Sequence, residues 1–317
     1  MTSSRPTTPL VCPHCREPLE GGDDALGCRG CDRSYPVSDG VADFAEGRYY
    51  DEFTGPESLS EESRQGLGHE VAGTTARIAD YYLPRILAER ERLGGDTFRV
   101  LDSGCGNGIS IDLLADAGVE AWGNDVSRLR QWQWRERLGR ERLVVADSRR
   151  LPFADGFFQV VLSSGVIEHI GVEEHRRPGY EVAPLPERDA ARSAFLGELL
   201  RVLDPAGCLF LDCPNGAFPI DFWHGDQPGE ARFHSLREGF LPTVAEVRSY
   251  VAPLGRYRVT AIGPRGRLRM KQVGRHLYGR ALRLPMEAVL AFLDTPVGRP
   301  LAGSLLNPYL VMRVEER

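Results

Sequence analysis

A short apolar stretch, an acid, three alternate glycines and a helical pattern stand together in F-R-V-L-D-S-G-C-G-N-G-I-S, from Phe98 to Ser110. A buried strand that turns through a glycine loop into a helix opens an α/β sheet, because glycine lets the backbone turn tightly and stay open to a ligand. The rest of the chain alternates in the same way. Apolar strands are expected in V-E-A-W-G-N-D-V-S, ending in Asp125, and in R-L-V-V-A-D-S, ending at Asp147 and Ser148. A fourth lies within L-P-F-A-D-G-F-F-Q-V-V-L-S-S-G-V-I-E-H-I. Helices over 187–203 and 242–254 then alternate with strands at D-P-A-G-C-L-F-L-D-C-P-N, at 257–262 and at P-Y-L-V-M-R-V. Such an order predicts a Rossmann-like, doubly wound α/β fold with a mainly parallel sheet covered on both faces. A helix over 75–93, with Ile78, Tyr82, Ile86 and Leu93 at near-helical spacing, leads into it, and Pro84 predicts a kink.

A separate small module precedes this fold. Cys12, Cys15, Cys28 and Cys31 form two Cys-x-x-Cys knuckles twelve residues apart. Each knuckle brings two thiolates to one ion, and two knuckles close the tetrahedral shell of a structural zinc. About forty residues bury too little apolar surface to fold unaided, so the metal is expected to supply the missing stability. His14, inside the first knuckle, is expected to face solvent. The domain plan is therefore a zinc-ribbon module over 8–45, a linker or lid over 46–74 carrying Tyr49, Tyr50 and Phe53, and the α/β domain over 75–317.

The glycine spacing separates two cofactor classes. A dinucleotide fold wants G-x-G-x-x-G, and here the third glycine, Gly108, comes one residue early. The loop instead resembles the D-x-G-x-G-x-G signature of class I S-adenosylmethionine-dependent methyltransferases. That resemblance implies seven strands, the last antiparallel, over about 75–317. It also implies cofactor contacts from Asp102, Ser103, Gly104, Gly106 and Gly108, ribose hydroxyls on Asp125, and further contacts from Val126, Asp147, Ser148 and Ser164. The stretch Leu10 to Phe44 resembles the short zinc ribbons that activate tRNA and protein methyltransferases as separate subunits.

Ligands of open α/β sheets sit beyond the carboxyl ends of the strands, so the acceptor is expected on the insertions at 164–186, 214–241 and 263–307. The first carries Glu168, His169 and His175; His169 is the candidate general base, weighed against a capping or packing role. Ubiquinone-pathway O-methyltransferases have a similar E-x-x-E-H run that holds a divalent ion, but Gly165 stands here in place of the first acid, which leaves that metal site open. The second insertion concentrates Asp221, Phe222, Trp223 and His224, with His234 beyond, and reads equally as an acceptor pocket or a packed flap.

Nine basic residues and no acid lie between Arg256 and Arg283: Arg256, Arg258, Arg265, Arg267, Arg269, Lys271, Arg275, Arg280 and Arg283. Such a run suits an anionic acceptor, an RNA backbone or a lipid headgroup, or is a solvated face. With 39 basic against 45 acidic side chains the net charge is −6, which disfavours a general nucleic-acid binder. The chain has no apolar run long enough to span a bilayer and no secretion signal, so a cytoplasmic location is expected. Three functions remain: methylation of a small or medium-sized metabolite in a biosynthetic pathway, methylation of ribosomal or transfer RNA, and a silent cofactor-binding protein that recruits a partner.

Overall fold

The computed structural model describes residues 10–175, 179–225, 231–267 and 277–317, and the chain folds as two compact units. The first comprises Met1–Ser163 and Gly197–Leu209, the second Ser164–Leu196 and Phe210–Arg317.

The first unit opens with four short strands: β1 (Leu19–Gly21), β2 (Ala25–Cys28), β3 (Ser34–Ser38) and β4 (Val41–Asp43). Helix α1 (Glu61–Arg77), a wide π turn (Ile78–Tyr82) and α2 (Leu83–Leu93) follow. Next come β5 (Arg99–Ser103), α3 (Ile109–Asp116), β6 (Glu120–Asp125), α4 (Arg128–Trp134), β7 (Leu143–Val145) and β8 (Phe158–Ser164). In the rest of the chain are β9 (Val172–His175), β10 (Glu181–Pro184), α5 (Arg188–Val202), β11 (Leu203–Pro214), β12 (Ile220–Asp221) and β13 (Arg232–Phe233). The last elements are α6 (Val244–Val251), β14 (Tyr257–Ile262), α7 (Leu277–Leu293) and β15 (Tyr309–Glu316).

Strands of the first unit are hydrogen-bonded in the order β1-β2-β3-β4-β7-β6-β5-β8-β11, and those of the second in the order β11-β15-β14. The parallel pairs β5·β6, β5·β8 and β6·β7 form the heart of the first unit. Their apolar runs are continuous because both faces are covered: Val100, Leu101, Val144, Val145, Val160, Val161 and Leu162 are all buried. The antiparallel β14·β15 pair fits the expected reversed last strand. The expected seven strands are β5 to β8, β11, β14 and β15. The ribbon adds four more, because β4 pairs in parallel with β7 through Ala42↔Val144 and Asp43↔Val145. Phe44 N–H continues the ladder to the Val145 carbonyl at 2.7 Å.

Several sequence-based boundaries move. The helix expected from 75 begins at Glu61, inside the stretch read as a linker, where Gly66, Gly68 and Gly73 mask the helical pattern. The irregularity expected at Pro84 is a π turn over Ile78–Tyr82 directly before it: the helix runs on into α2, Leu83 N–H bonds the Ile78 carbonyl, and Pro84 has no N–H to give the preceding turn. Strand β7 stops at Val145, two residues before Asp147. The insertions hold two hairpins, β9·β10 and β12·β13. Of the basic run, Arg269, Lys271 and Arg275 lie outside the described residues, as do the side chains of Arg280 and Arg283.

Packing around the glycine loop is tight at Gly123 on β6. A Cβ there would meet Cys105 Sγ at 2.8 Å and Leu143 Cδ2 at 2.9 Å. Gly123→Ala is expected to lose about 1–3 kcal/mol of stability through overpacking, checked by urea denaturation.

Candidate cofactor loop, thiol cluster and histidine cluster

The cofactor loop belongs wholly to the first unit. Gly104, Gly106 and Gly108 all have left-handed backbones, with φ of 80°, 56° and 74°, a conformation that side-chain-bearing residues avoid. At Gly108 a Cβ would also press on Leu143 and Trp134 at 3.1 Å. The loop closes on Asp125 at the tip of β6: the Gly106 N–H donates to Asp125 Oδ2 at 3.0 Å. A pyrophosphate would need that N–H, so its use by a carboxylate suits a cofactor that brings hydroxyls and positive charge. Burial pushes the Asp125 carboxyl up to about 6, against the pull of Arg130 and of the Gly106 and Val126 N–H groups. Arg130 also pairs with Glu70 of α1 at 2.9 Å, so α1 reaches the mouth of the loop.

The other expected cofactor residues are mostly engaged in holding the strand tips. Asp102 is buried and accepts the Ser110 hydroxyl of α3. The Ser103 hydroxyl donates to Ser148 at 2.8 Å, and Asn124 donates to Ser148 at 3.0 Å. Asp147 is gripped by its neighbour Arg149 through Nε and Nη2; burial raises its carboxyl, and those bonds outweigh it and leave it low. The aromatic island packs the chain onto this edge. Tyr50 N–H donates to the Val126 carbonyl at 2.9 Å, Arg128 covers the Tyr49 ring, and Phe53 meets Trp132.

The four ribbon thiols converge. Cys12 and Cys31 sulfurs stand 3.5 Å apart, Cys15 and Cys28 sulfurs 3.3 Å, and all four lie within 4.8 Å of one another. None is in a disulfide. A tetrahedral zinc with bonds of about 2.3 Å separates its sulfurs by roughly 3.8 Å, so the set fits the ion. His14 stays outside the thiol set, as expected, and at the partly exposed rim its ring joins Glu46 at 3.1 Å and Arg150 at 3.3 Å.

The second unit holds a distinct cluster. Gly165, at φ 68°, turns the chain after β8 into a 3-10 turn over Ile167–His169. Glu168 is only 1% exposed. Its neighbour His169 meets His224 from the second insertion, with ring centroids 5.2 Å apart. Each imidazole is oriented from behind: His169 Nδ1 bonds Glu174 of β9 at 2.6 Å, and His224 Nδ1 bonds the buried Asp221 at 2.9 Å. Glu174 also accepts from Tyr180, and Asp221 from Arg232. Burial raises the Asp221 carboxyl, but His224 and Arg232 outweigh it and keep it low. His175, on the same hairpin, is exposed. A cleft of about 580 Å³ adjoins these supporting residues, lined by Tyr180, Glu181, Arg232, Phe233 and Glu238 among others.

Arg267 departs from the sequence reading. It is no part of a free basic surface: its guanidinium makes two bonds to the buried Asp212, at 2.9 and 3.1 Å, and others to Ser164 at 3.1 Å and Tyr309 at 2.7 Å. Ser164 itself donates to Asp212 at 2.8 Å, so its side chain is tied to this network.

Against known families, residues 101–211, which span the loop, Asp125 and β8, match the model of the methyltransferase domain. That segment is similar to a methyltransferase domain. Residues 10–40 match the model of Trm112p-like proteins, so the two similarities lie one after the other in a single chain. The chain is 30% identical over 116 residues to a probable S-adenosylmethionine-dependent methyltransferase of Mycolicibacterium smegmatis, a match covering 37% of this chain and 38% of that protein. Similar solved structures include the plantazolicin methyltransferase, 11% identical with a TM-score of 0.49, over 81% of this chain and 91% of that one. Another is the complex of the Haloferax volcanii Trm112 methyltransferase activator with a putative methyltransferase, 16% identical with a TM-score of 0.43, over 81% and 97%. Among the described residues no helix is long and apolar enough to cross a membrane.

Proposed function

We propose that the chain transfers a methyl group from S-adenosylmethionine to a small or medium-sized metabolite. The observation that carries this reading is the left-handed glycine loop closing on Asp125. When bound, the sulfonium supplies an electrophilic methyl carbon. The chain's own residues bind and orient. Gly104, Gly106 and Gly108 admit the cofactor to the backbone, Asp125 accepts the ribose hydroxyls, and Val126, Asp147 and Ser148 border the adenine. Asp102, Ser103 and Ser164 act by fixing the strand tips. Cys12, Cys15, Cys28 and Cys31 hold a structural zinc.

On the acceptor side, Glu174 fixes the Nδ1 proton of His169 and so makes Nε2 its basic nitrogen. A cleft of about 580 Å³ is of metabolite size. The burial of Arg267 removes one cation from the run that favoured RNA. The test is incubation with methyl-labelled cofactor and either a metabolite extract or total RNA. Label is expected in the low-molecular-weight fraction; label in RNA would overturn the acceptor class, and label in neither would overturn the activity.

A further inference from the structure

The histidine cluster contains more than a proton acceptor needs. One ligand atom each from Glu168, His169 and His224 lies within 4.8 Å of the others. Glu168 Oε2 is buried and has no hydrogen-bond partner among the described residues, a costly state for a carboxylate oxygen that a cation would relieve. Both imidazoles are backed at Nδ1 by carboxylates, Glu174 and Asp221, so Nδ1 carries a proton and Nε2 is the nitrogen that would ligate a metal. A metal-ligating histidine is oriented in this way by its outer partners. The backing carboxylates are held in turn by Tyr180 and Arg232.

The geometry points to a divalent transition-metal site formed by Glu168 Oε2, His169 Nε2 and His224 Nε2. Two imidazoles with one carboxylate select zinc, iron(II), cobalt(II) or manganese(II) over magnesium and calcium, which prefer all-oxygen shells. Three protein ligands leave positions open for an outside oxygen. Resting on the methyltransferase reading, we assign those positions to a hydroxyl or carboxylate oxygen of the acceptor. For a hydroxyl, the ion lowers its pKa and the proton leaves to water. The oxygen then forms the bond to the methyl carbon as the carbon–sulfur pair returns to sulfur, giving a methyl ether and S-adenosylhomocysteine. The run from Gly165 to His169 alone does not assemble this site; His224 of the second insertion completes it.

The test is titration of the full-length, zinc-replete chain with cobalt(II), followed by visible absorption and elemental analysis. Wild type is expected to take up one cobalt beyond the ribbon zinc. His224→Ala and the near-isosteric Glu168→Gln should each weaken that uptake at least about tenfold. His175→Ala, altered at an exposed neighbour, should bind as wild type does, and thermal melting of all three checks folding. No cobalt uptake by folded wild type, or equal uptake by the His224→Ala and Glu168→Gln variants, would overturn the site. Cobalt uptake that persists while calorimetry detects no S-adenosylmethionine binding would support the metal site and sink the methyltransferase reading.

Discussion

Stripping zinc with a chelator, or replacing Cys28 by serine, is expected to lower the melting temperature of the whole first unit and not of the ribbon alone. Binding of a structural zinc contributes about 10–16 kcal/mol in isolated fingers, and here that energy is tied to the sheet. Cys28 ends β2, β2 pairs with β3, β3 with β4, and β4 with β7. Arg16 adds a second tie through the Leu151 carbonyl and Glu198, at 2.9 and 2.8 Å. If only about 4 kcal/mol of the lost energy reaches the α/β core, its midpoint falls by roughly 8–16 °C. Scanning calorimetry with elemental analysis measures both. Full loss of zinc with an unchanged melting profile would show that the ribbon is energetically separate.

Asp125→Ala is expected to weaken S-adenosylmethionine by roughly a hundredfold or more. Two hydrogen bonds from the ribose to a charged acceptor are each worth about 1.5–3 kcal/mol, and the Gly106 N–H loses its partner as well. Because burial pushes this carboxyl up to about 6, the same site sets a pH dependence. Above that value the group is ionised and accepts both hydroxyls. Below it the group is protonated, and affinity should fall about tenfold per pH unit. Calorimetry across pH 5 to 8 tests this expectation, with Asp125→Asn as the variant in which the acid limb disappears. Binding by Asp125→Ala equal to wild type would remove Asp125 from the site.

Much of this was legible because it is local. The glycine loop, Asp125 and the cysteine knuckles declare themselves by spacing, since a tight turn or a metal shell needs given residue types at given intervals. The histidine cluster was half visible. Glu168 and His169 are adjacent, and Asp221 and His224 are three apart, but their meeting depends on how two insertions fold. Arg267 misled for a related reason. A run of like charge reads as a surface, and only the fold brings Asp212 and Tyr309 around that one guanidinium. The early start of α1 was hidden by its glycines, which lower the helical propensity of that stretch.

The pairing of β4 with β7 has one more consequence. A sheet border presents unsatisfied amides and carbonyls that invite a strand of another molecule, and proteins guard such borders. In this chain the guard is a strand of the thiol-bearing ribbon, with Val144 and Val145 buried behind it. Loss of a zinc from those thiols would therefore turn a quiet edge into a sticky one, and metal starvation should reveal itself first as aggregation.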